Sequence, residues 1–464
     1  MIAPLMLLAL VASAPQAPPP APAPAVPAAP ATATAPTPRV GEPAAAAPAR
    51  PLLTLEQALA TARDHQPQVA AAAAATAAAA ARSDEARSSL LPQVNGNGSY
   101  QRATANFVSR PGALPRQLSS GSGSESWDNF GYYNLGLSAN YLLYDFGQTK
   151  NRWRSAEASL AAQRESERTT ANQVLFAVRT AFFSARAARE LVKVAEDTLG
   201  NQKKHLDQTQ GFVDVGTQPP IALAQAKTAV ANAQVQLINS ENSYETALAQ
   251  LNQAMGVEGP TDYDVADEPE APLPSEDGTA DTLFDEALRA RPELATLADQ
   301  VRAQELTVRA LKSANLPSVG LSTGLSDAGG QVGNLTWNWN AAVQFSVPIF
   351  LGGLTKAQVA EGEANLAAAR SQLQIERLQV RLEVDQGRLA VRAAKAALAA
   401  SADALDNAKE QLNLAEGRFE TGVGSIIELG DAQVALTSAA QQRVQAIYNL
   451  SQARVQLLKA LGRG

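Results

Sequence analysis

Few side chains in this sequence could carry chemistry, and the clearest candidates are two carboxylates. Glu428 and Asp431 are three positions apart near the start of a predicted helix, so they share one helix face. If several copies of the chain bring these faces together, the carboxylates can attract cations. Acidic residues are also favoured at helix starts by the helix dipole, so an ordinary solvated helix start is the alternative.

Other reactive groups are scarce. The sequence has no cysteine, which excludes thiolate nucleophiles, disulfides and cysteine-bound metals. Its two histidines, His65 and His205, fall in different predicted helices and are expected on helix surfaces. No glycine-rich phosphate loop, zinc pattern or nucleophile elbow is found. The sequence therefore predicts no enzyme, no cofactor and no metal site, and a net charge of −7 gives no basic surface for nucleic acid.

The chain divides into a leader, a linker and two repeats. Residues 1–14 combine an apolar run with a small-residue cleavage pattern, which predicts a signal peptide even though a positive n-region is missing. Residues 15–51 are nearly all proline and alanine, a composition typical of an extended, disordered linker. A first repeat over 52–259 and a second over 280–464 are joined by a linker over 260–279.

The repeats are visible as matching segments at a nearly constant offset. Residues 210–217 align without gaps on residues 416–423, an offset of 206. Upstream the offset is 225, as residues 91–94 align on residues 316–319. The difference of 19 residues lies between positions 94 and 144, where the first copy is expected to carry a longer, flexible loop.

Each repeat is predicted to contain a helix, two strands, a long helix and, after a short break, a return helix. The first helix is expected to follow an N-cap at Thr54 and to include the alanine-rich residues 69–81. The long helices are predicted over 148–210 and 354–416, which contain no proline. Helices of about 90 Å cannot be buried in a globule, so coiled-coil packing is expected. In the first return helix, apolar residues at intervals of seven, joined by Leu248 and Met255, predict a narrow packing seam: Val230, Leu237, Tyr244 and Leu251.

The predicted strands alternate apolar residues with small or polar ones, and their segments carry no charge. Each has about 9 to 12 residues, the length that crosses a bilayer as a tilted strand. Lipid tolerates only the apolar side of such a strand. A soluble sheet with one wet face is the alternative, but wet faces normally carry charge. The residues predicted to face lipid are Tyr133, Leu135, Leu137, Tyr141, Trp337, Trp339, Val343 and Phe345.

Membrane strands of this kind require more than one chain. Four strands cannot close a barrel that has an interior, and lipid does not tolerate open strand edges. Two chains would form a barrel filled by side chains, whereas three would form a water-filled barrel. If the role is transport, three or more copies are therefore expected.

From residue 52 to its end, the sequence resembles the TolC-like outer-membrane efflux protein family. The resemblance rests on the duplicated Leu-Pro-x-Val strand starts, on the turn 350–353 into a long helix, and on residues 419–422 with Asp431-Ala432 leading to residues 460–462. It implies an α+β membrane protein that forms a homotrimer, with four strands per chain in a twelve-stranded β-barrel. The barrel would stand in the outer membrane of a Gram-negative bacterium and continue into a long periplasmic α-helical barrel.

The resemblance also implies two functional sites. The hairpin tips between the long helices and the return helices would meet a periplasmic adaptor (membrane fusion) protein. Glu428 and Asp431 fall where family members carry acids around the periplasmic gate, whereas the first copy has Ala222 and Gln225 at the matching positions. The predicted tip residues are Val215, Gly216, Thr217, Gly422, Val423 and Gly424.

These features predict the outer-membrane channel of a tripartite efflux pump, which would export small molecules together with the adaptor and an inner-membrane pump or transporter. One alternative is the outer-membrane channel of a type I protein secretion system. The other is a structural coiled-coil envelope protein without transport. The identity of the cargo does not follow from the sequence.

Overall fold

The computed structural model of the protein describes residues 50–104, 129–269, 271–273, 276, 278–421 and 423–463. The expected signal peptide and almost all of the proline-rich linker lie outside the described residues. So do most of the expected long loop of the first copy and the predicted tip residue Gly422.

The described residues form fourteen helices and strands in two similar series. The first series is β1 (Leu52–Leu53), α1 (Leu55–His65), α2 (Pro67–Ser88), β2 (Gln93–Thr104), β3 (Asn129–Tyr144), α3 (Gln148–Asp214) and α4 (Pro220–Met255). The second series is β4 (Asp264–Val265), α5 (Ala280–Ala290), α6 (Pro292–Ser313), β5 (Ser318–Gly329), β6 (Thr336–Ser346), α7 (Leu354–Glu420) and α8 (Ile426–Ala460).

The start of each copy differs from the prediction, because the single helix expected there is two helices. Thr54 is the N-cap of α1 as predicted: its side chain accepts a hydrogen bond from the Gln57 backbone N–H, and the Gln57 side chain accepts one from the Thr54 N–H. The helix then stops, because Pro67 has no N–H to donate and restricts Gln66 to extended backbone. Pro292 separates α5 from α6 in the same way.

At each of these proline breaks the end of a return helix contacts the residue before the proline, and we call this contact a joint. The Gln66 side chain donates to the carbonyl oxygen of Ala254, near the end of α4, at 2.8 Å. Gly256 approaches so closely that a Cβ atom there would lie 2.7 Å from the Gln66 Cα. In the second copy, the Arg291 Nε donates to the carbonyl oxygen of Ala460 at 2.9 Å. The end of α4 therefore abuts the start of α2, and the end of α8 abuts the start of α6.

The two long helices, α3 and α7, have 67 residues each and a length of about 100 Å. They begin where predicted, after Gly147 and Gly353 in left-handed conformation, and end four residues later than predicted. α3 contacts α2, α4, α6 and α8, and α7 contacts α6 and α8. The helices thus form one layer, in which α3 and α7 alternate with the pairs α2/α4 and α6/α8. No helix among the described residues is both long and apolar enough to cross a membrane.

Small side chains form much of the packing seam of α4, which corrects in part the prediction of a seam of large residues. Of the six predicted residues, Leu248, Leu251 and Met255 are buried, while Val230, Leu237 and Tyr244 are half-buried. A series of small residues three heptad positions further on completes the seam, so that α3 and α4 can approach closely. Its buried residues at intervals of seven are Ala226, Ala233, Ser240 and Ala247.

A short second layer, the belt, consists of α1, β1 and β4 and covers the middle of α3. α1 packs in one core with Phe182 of α3 and Leu248 of α4. β1 and β4 pair in parallel, and Arg189 of α3 donates to the carbonyl oxygen of Val265 in β4. In the second copy, α5 packs Leu283 into a core with α7 and α8.

The four longer strands form one antiparallel sheet in the order β2-β3-β5-β6. The register places Leu137 opposite Leu325, and Leu325 opposite Trp339. Directly opposite residues share a face, so most apolar residues of the four strands lie on one face, while Tyr132 and Leu142 lie on the other. Two strands extend beyond the uncharged segments that were predicted, because β2 includes Arg102 and β5 includes Asp327.

Candidate functional site

The apolar face of the sheet is not covered by any other described element. Trp337 is 73% exposed, and Trp339, Val343 and Phe345 are similarly exposed. Tyr133 is half-buried instead, because its ring lies 4.7 Å from that of Tyr100 on the neighbouring strand. A face with this composition requires an apolar environment, since large exposed apolar patches mark membrane or protein contacts.

Charged residues stand on this face only toward the strand ends that lie away from the helices, as far as the strands are described. In register, Asp327 lies opposite both Leu135 and Trp337. Arg102 donates from Nε to the Asn129 side chain at 2.6 Å. The uncharged part of the face therefore lies between these charges and the helices.

The first hairpin tip is the loop between α3 and α4. Val215 is exposed, and Gly216 adopts a left-handed φ of 78°. Thr217 folds back on α3, where the Phe212 carbonyl oxygen accepts bonds from its N–H and its hydroxyl, both at 2.9 Å. α4 then begins at Pro220 without a side-chain cap. This tip is held by backbone geometry and presents an uncharged loop.

The second hairpin tip, between α7 and α8, repeats the backbone bonds that the N–H groups of Thr217 and Gln218 make to the Phe212 carbonyl oxygen in the first tip, and it adds a side-chain cap. The N–H groups of Val423 and Gly424 both donate to the carbonyl oxygen of Arg418, at 3.0 and 2.7 Å. A Cβ atom at Gly424 would lie 2.9 Å from backbone atoms of Arg418 and Phe419. Ser425 caps α8 by accepting a hydrogen bond from the Glu428 N–H at 3.1 Å.

The predicted acidic pair lies in the first turns of α8, beside this second tip. The Glu428 carboxylate lies 3.3 Å from Nε of Arg418 across the hairpin, and both side chains are partly exposed. Asp431 is exposed. At the matching positions of the first copy, Ala222 is buried and Gln225 is exposed. The structure thus pairs one of the two acids with an arginine, and the role of both in a gate stays a prediction.

His205 lies in an aromatic cluster near the tips, which corrects the expectation of a surface histidine. Its imidazole is buried edge-on against the ring of Phe419, with 5.5 Å between the ring centres. The ring centre of Phe212 lies 5.7 Å from that of the same phenylalanine. Burial lowers the pKa of the His205 imidazole. His65, by contrast, is exposed as predicted. The described residues contain no group of His, Asp or Glu side chains arranged to hold a metal ion.

Arg418 was not identified from the sequence as part of this site. Its partner Glu428 is ten positions away, so no helical spacing connects the two residues. The only available signal was that Arg418 stands in the last turn of the long helix, where a cation is favoured by the helix dipole.

Comparisons with known proteins agree with this architecture. A family model described as outer membrane efflux protein matches residues 58–257 and 283–463. The solvent efflux pump outer membrane protein SrpC of Pseudomonas putida is 27% identical over 394 residues, covering 82% of this chain and 78% of the relative. The probable outer membrane lipoprotein SilC of Salmonella typhimurium is 25% identical over 342 residues, covering 72% of each chain.

A solved structure shows the same fold. The CmeC outer membrane channel of Campylobacter jejuni superposes with a TM-score of 0.77, at 21% identity, over 88% of this chain and 85% of the other. The likeness extends over both repeats, since a match of that coverage cannot be confined to one of them.

Proposed function

This chain belongs to the outer membrane efflux protein family, and on that premise we propose that it forms the outer-membrane channel of a tripartite efflux pump. In this proposal three copies enclose a tunnel through which small molecules leave the cell. One relative of the chain is a solvent efflux pump outer membrane protein, which supports the efflux of small molecules over the secretion of proteins.

The proposal rests on the edges of the sheet and of the helical layer. These edges lie on the same two sides, and no described strand or helix pairs with them. β2 and β6 each have a single neighbouring strand. β2 follows α2 along the chain and β6 precedes α7, and these helices are at the two ends of the layer. Lipid does not tolerate unpaired strand edges, so further copies must supply the missing neighbours. Three copies give a barrel of twelve strands, wide enough for a water-filled interior.

The edge helix α7 carries an apolar seam that no described residue of the same chain covers. Ile375, Leu382 and Leu389 are exposed at intervals of seven, and Leu378 is exposed between them. Sevenfold spacing is the pattern of a coiled-coil contact. Val235 is also an exposed apolar residue, and it lies on α4, at the opposite edge of the helical layer. We therefore assign the α7 seam to the contact with the neighbouring copy.

The remaining parts have positions that suit a channel. The apolar sheet face fits the lipid of the outer membrane, with the long helices extending about 100 Å into the periplasm. The hairpin tips lie at the far end of these helices, where an adaptor protein bound to an inner-membrane pump would reach them. The exposed carboxylate of Asp431 lies at the same end and would face a narrow tunnel entrance if the hairpins close there.

Conductance of the purified protein in planar lipid bilayers tests the proposal. The trimeric wild-type protein should give discrete conductance steps. Leu382→Glu places a charge in the α7 seam and should abolish both the trimer and the steps, while Leu52→Glu changes an equally exposed leucine of β1 and should preserve them. Protein that is correctly trimeric yet conducts no ions would contradict the channel and favour a structural envelope protein.

A further inference from the structure

An arginine-rich groove lies between α2, α3 and α6, just below the sheet. It has a volume of about 830 Å³ and is lined by five arginines but only three carboxylates. One of the carboxylates, Glu305, is paired with Arg370 of α7 at 2.6 Å. The arginines of the groove are Arg87, Arg154, Arg164, Arg302 and Arg309.

The lining of the groove carries two more positive than negative charges, since five arginines stand beside three carboxylates. Across the described residues, Arg154, Arg164, Arg302 and Arg309 form no ion pair with a carboxylate. All four side chains are exposed in the groove. Arg87 lies 6.0 Å over the ring of Trp153, so its planar guanidinium is oriented without being neutralised. The groove can therefore bind an anion without breaking an existing contact.

The groove opens on the side of α3 that carries the belt. Arg154 precedes Phe182 and Arg189 by 28 and 35 residues, both multiples of seven, so the three share one side of a coiled-coil helix. Phe182 packs in one core with α1, and Arg189 bonds to β4. In a closed tube the belt must lie outside, since three copies of it would obstruct the tunnel. The groove consequently faces the periplasm.

The opposite side of the same helices has a different composition. A cleft of about 330 Å³ between α3, α6 and α7 is lined only by uncharged side chains, among them Ser159, Gln163, Gln300 and Gln304. Under the proposed function this side faces the tunnel. The arginines therefore do not line the path of the cargo, and an occupant of the groove must come from outside the tube.

The groove begins at the level where the membrane ends. Arg87 is one residue from the end of α2, Arg309 is four from the end of α6, and Arg154 is six from the start of α3. At 1.5 Å per residue, these arginines lie within about 10 Å of the sheet. Exposed apolar residues lie between the sheet and the long helices at the same level: Tyr144 and Phe146 before α3, and Ile349 and Phe350 before α7.

We propose that this groove binds the phosphate head group of an anionic phospholipid from the periplasmic leaflet of the outer membrane. The apolar turn residues contact the acyl chains, the indole of Trp153 lies at the interface, and the guanidinium groups take the phosphate oxygens. This inference rests on the proposed placement in the outer membrane. It adds a lipid site outside the tunnel that anchors the tube at a fixed depth.

Lipid binding to the intact trimer tests this proposal. Native mass spectrometry would count bound phosphatidylglycerol and phosphatidylcholine for the wild type and for Arg154→Gln/Arg309→Gln. With two cations removed from each groove, the affinity for phosphatidylglycerol should fall roughly 30-fold, while phosphatidylcholine binding should not change.

The matched control is Arg152→Gln/Lys356→Gln, which removes two exposed cations at the same height. Arg152 precedes Ser159 by seven residues and so belongs to the tunnel side. Selective loss in the groove variant supports the proposal, and equal loss in both variants, or none in either, overturns it. Displacement of the lipid by millimolar inorganic phosphate or by soluble cell-wall fragments would also overturn it, since either would identify another occupant. Both variants should still conduct ions, so a negative lipid result would not contradict the proposed channel.

Discussion

Gly216 of the first hairpin tip and Gly424 of the second stand at different positions of the turn, because the repeat offset of 206 places Gly424 opposite Gln218. Gly216 has a left-handed φ of 78° and open space around its Cα. Gly424 has no left-handed φ, but a Cβ atom there would lie 2.9 Å from the backbone of α7. The position of Gly216 needs a conformation that other residues avoid, and the position of Gly424 needs room.

The tips also differ in how their return helices begin. α4 starts at a proline and has no side-chain cap, whereas α8 has the Ser425 cap and the contact between Glu428 and Arg418. The second copy therefore ties its hairpin together with polar side chains and brings charge to the tip. The two copies of the repeat have kept the same backbone bonds at the turn, and only the second adds a side-chain cap and an ion pair across its hairpin.

The largest effect is expected from Gly424→Ala. The added methyl group would overlap the backbone of α7 and force the tip to shift, which should destabilise it by about 1 to 3 kcal/mol. Gly417→Ala is the control, because Gly417 is helical with open space and alanine favours helix. The rate of hydrogen exchange at the amides of the tip measures the loss of local stability in each variant. Equal protection in the two variants would show that the close approach at Gly424 is not required.

Gly216→Ala should have the next largest effect, about 1 to 2 kcal/mol, because a side chain is disfavoured at left-handed φ. Asparagine tolerates this conformation, so Gly216→Asn should retain more protection in hydrogen exchange than Gly216→Ala. At Gly424 asparagine should be no better than alanine, since the limit there is space. If asparagine is better at both tips, the distinction between them is wrong.

The smallest effect is expected from the charges, because exposed ion pairs are worth about 1 kcal/mol or less. Replacing both Glu428 and Asp431 with alanine should weaken block of the channel by divalent cations a few-fold. Arg418→Gln should strengthen the block, because it frees the Glu428 carboxylate. Gln225→Ala, at the position in the first tip that matches Asp431, should change nothing. Unchanged block in all the second-tip variants would show that these acids do not line the entrance.

Much of the fold follows from local signals in the sequence. The long helices begin where predicted because glycines mark the turns that precede them, and the cap at Thr54 was recognisable from its neighbours. The break at Pro67 was missed because alanine-rich sequence continues beyond it, although a proline at the first position of a helix is favourable. The ends of β2 and β5 were missed because Arg102 and Asp327 interrupt the uncharged pattern.

The candidate site was less predictable because it depends on contacts between distant segments. The burial of His205 arises from Phe419, 214 positions later in the chain. The partner of Glu428 lies across a hairpin turn. The sequence pattern identified the carboxylates and the tips, but the packing of α3 against the second hairpin decides which side chains are covered and which charges are paired.

The joints at Gln66 and Arg291 would give the wall of the proposed tube an uneven stiffness. α3 and α7 are uninterrupted helices that resist bending along their whole length, while the pairs α2/α4 and α6/α8 are each interrupted at a joint. The second joint is connected to α7 by the ion pair of Arg291 with Glu383, whereas the first is held by the neutral amide of Gln66. In the proposed tube, bending of the wall should therefore begin at the first joint rather than at the second.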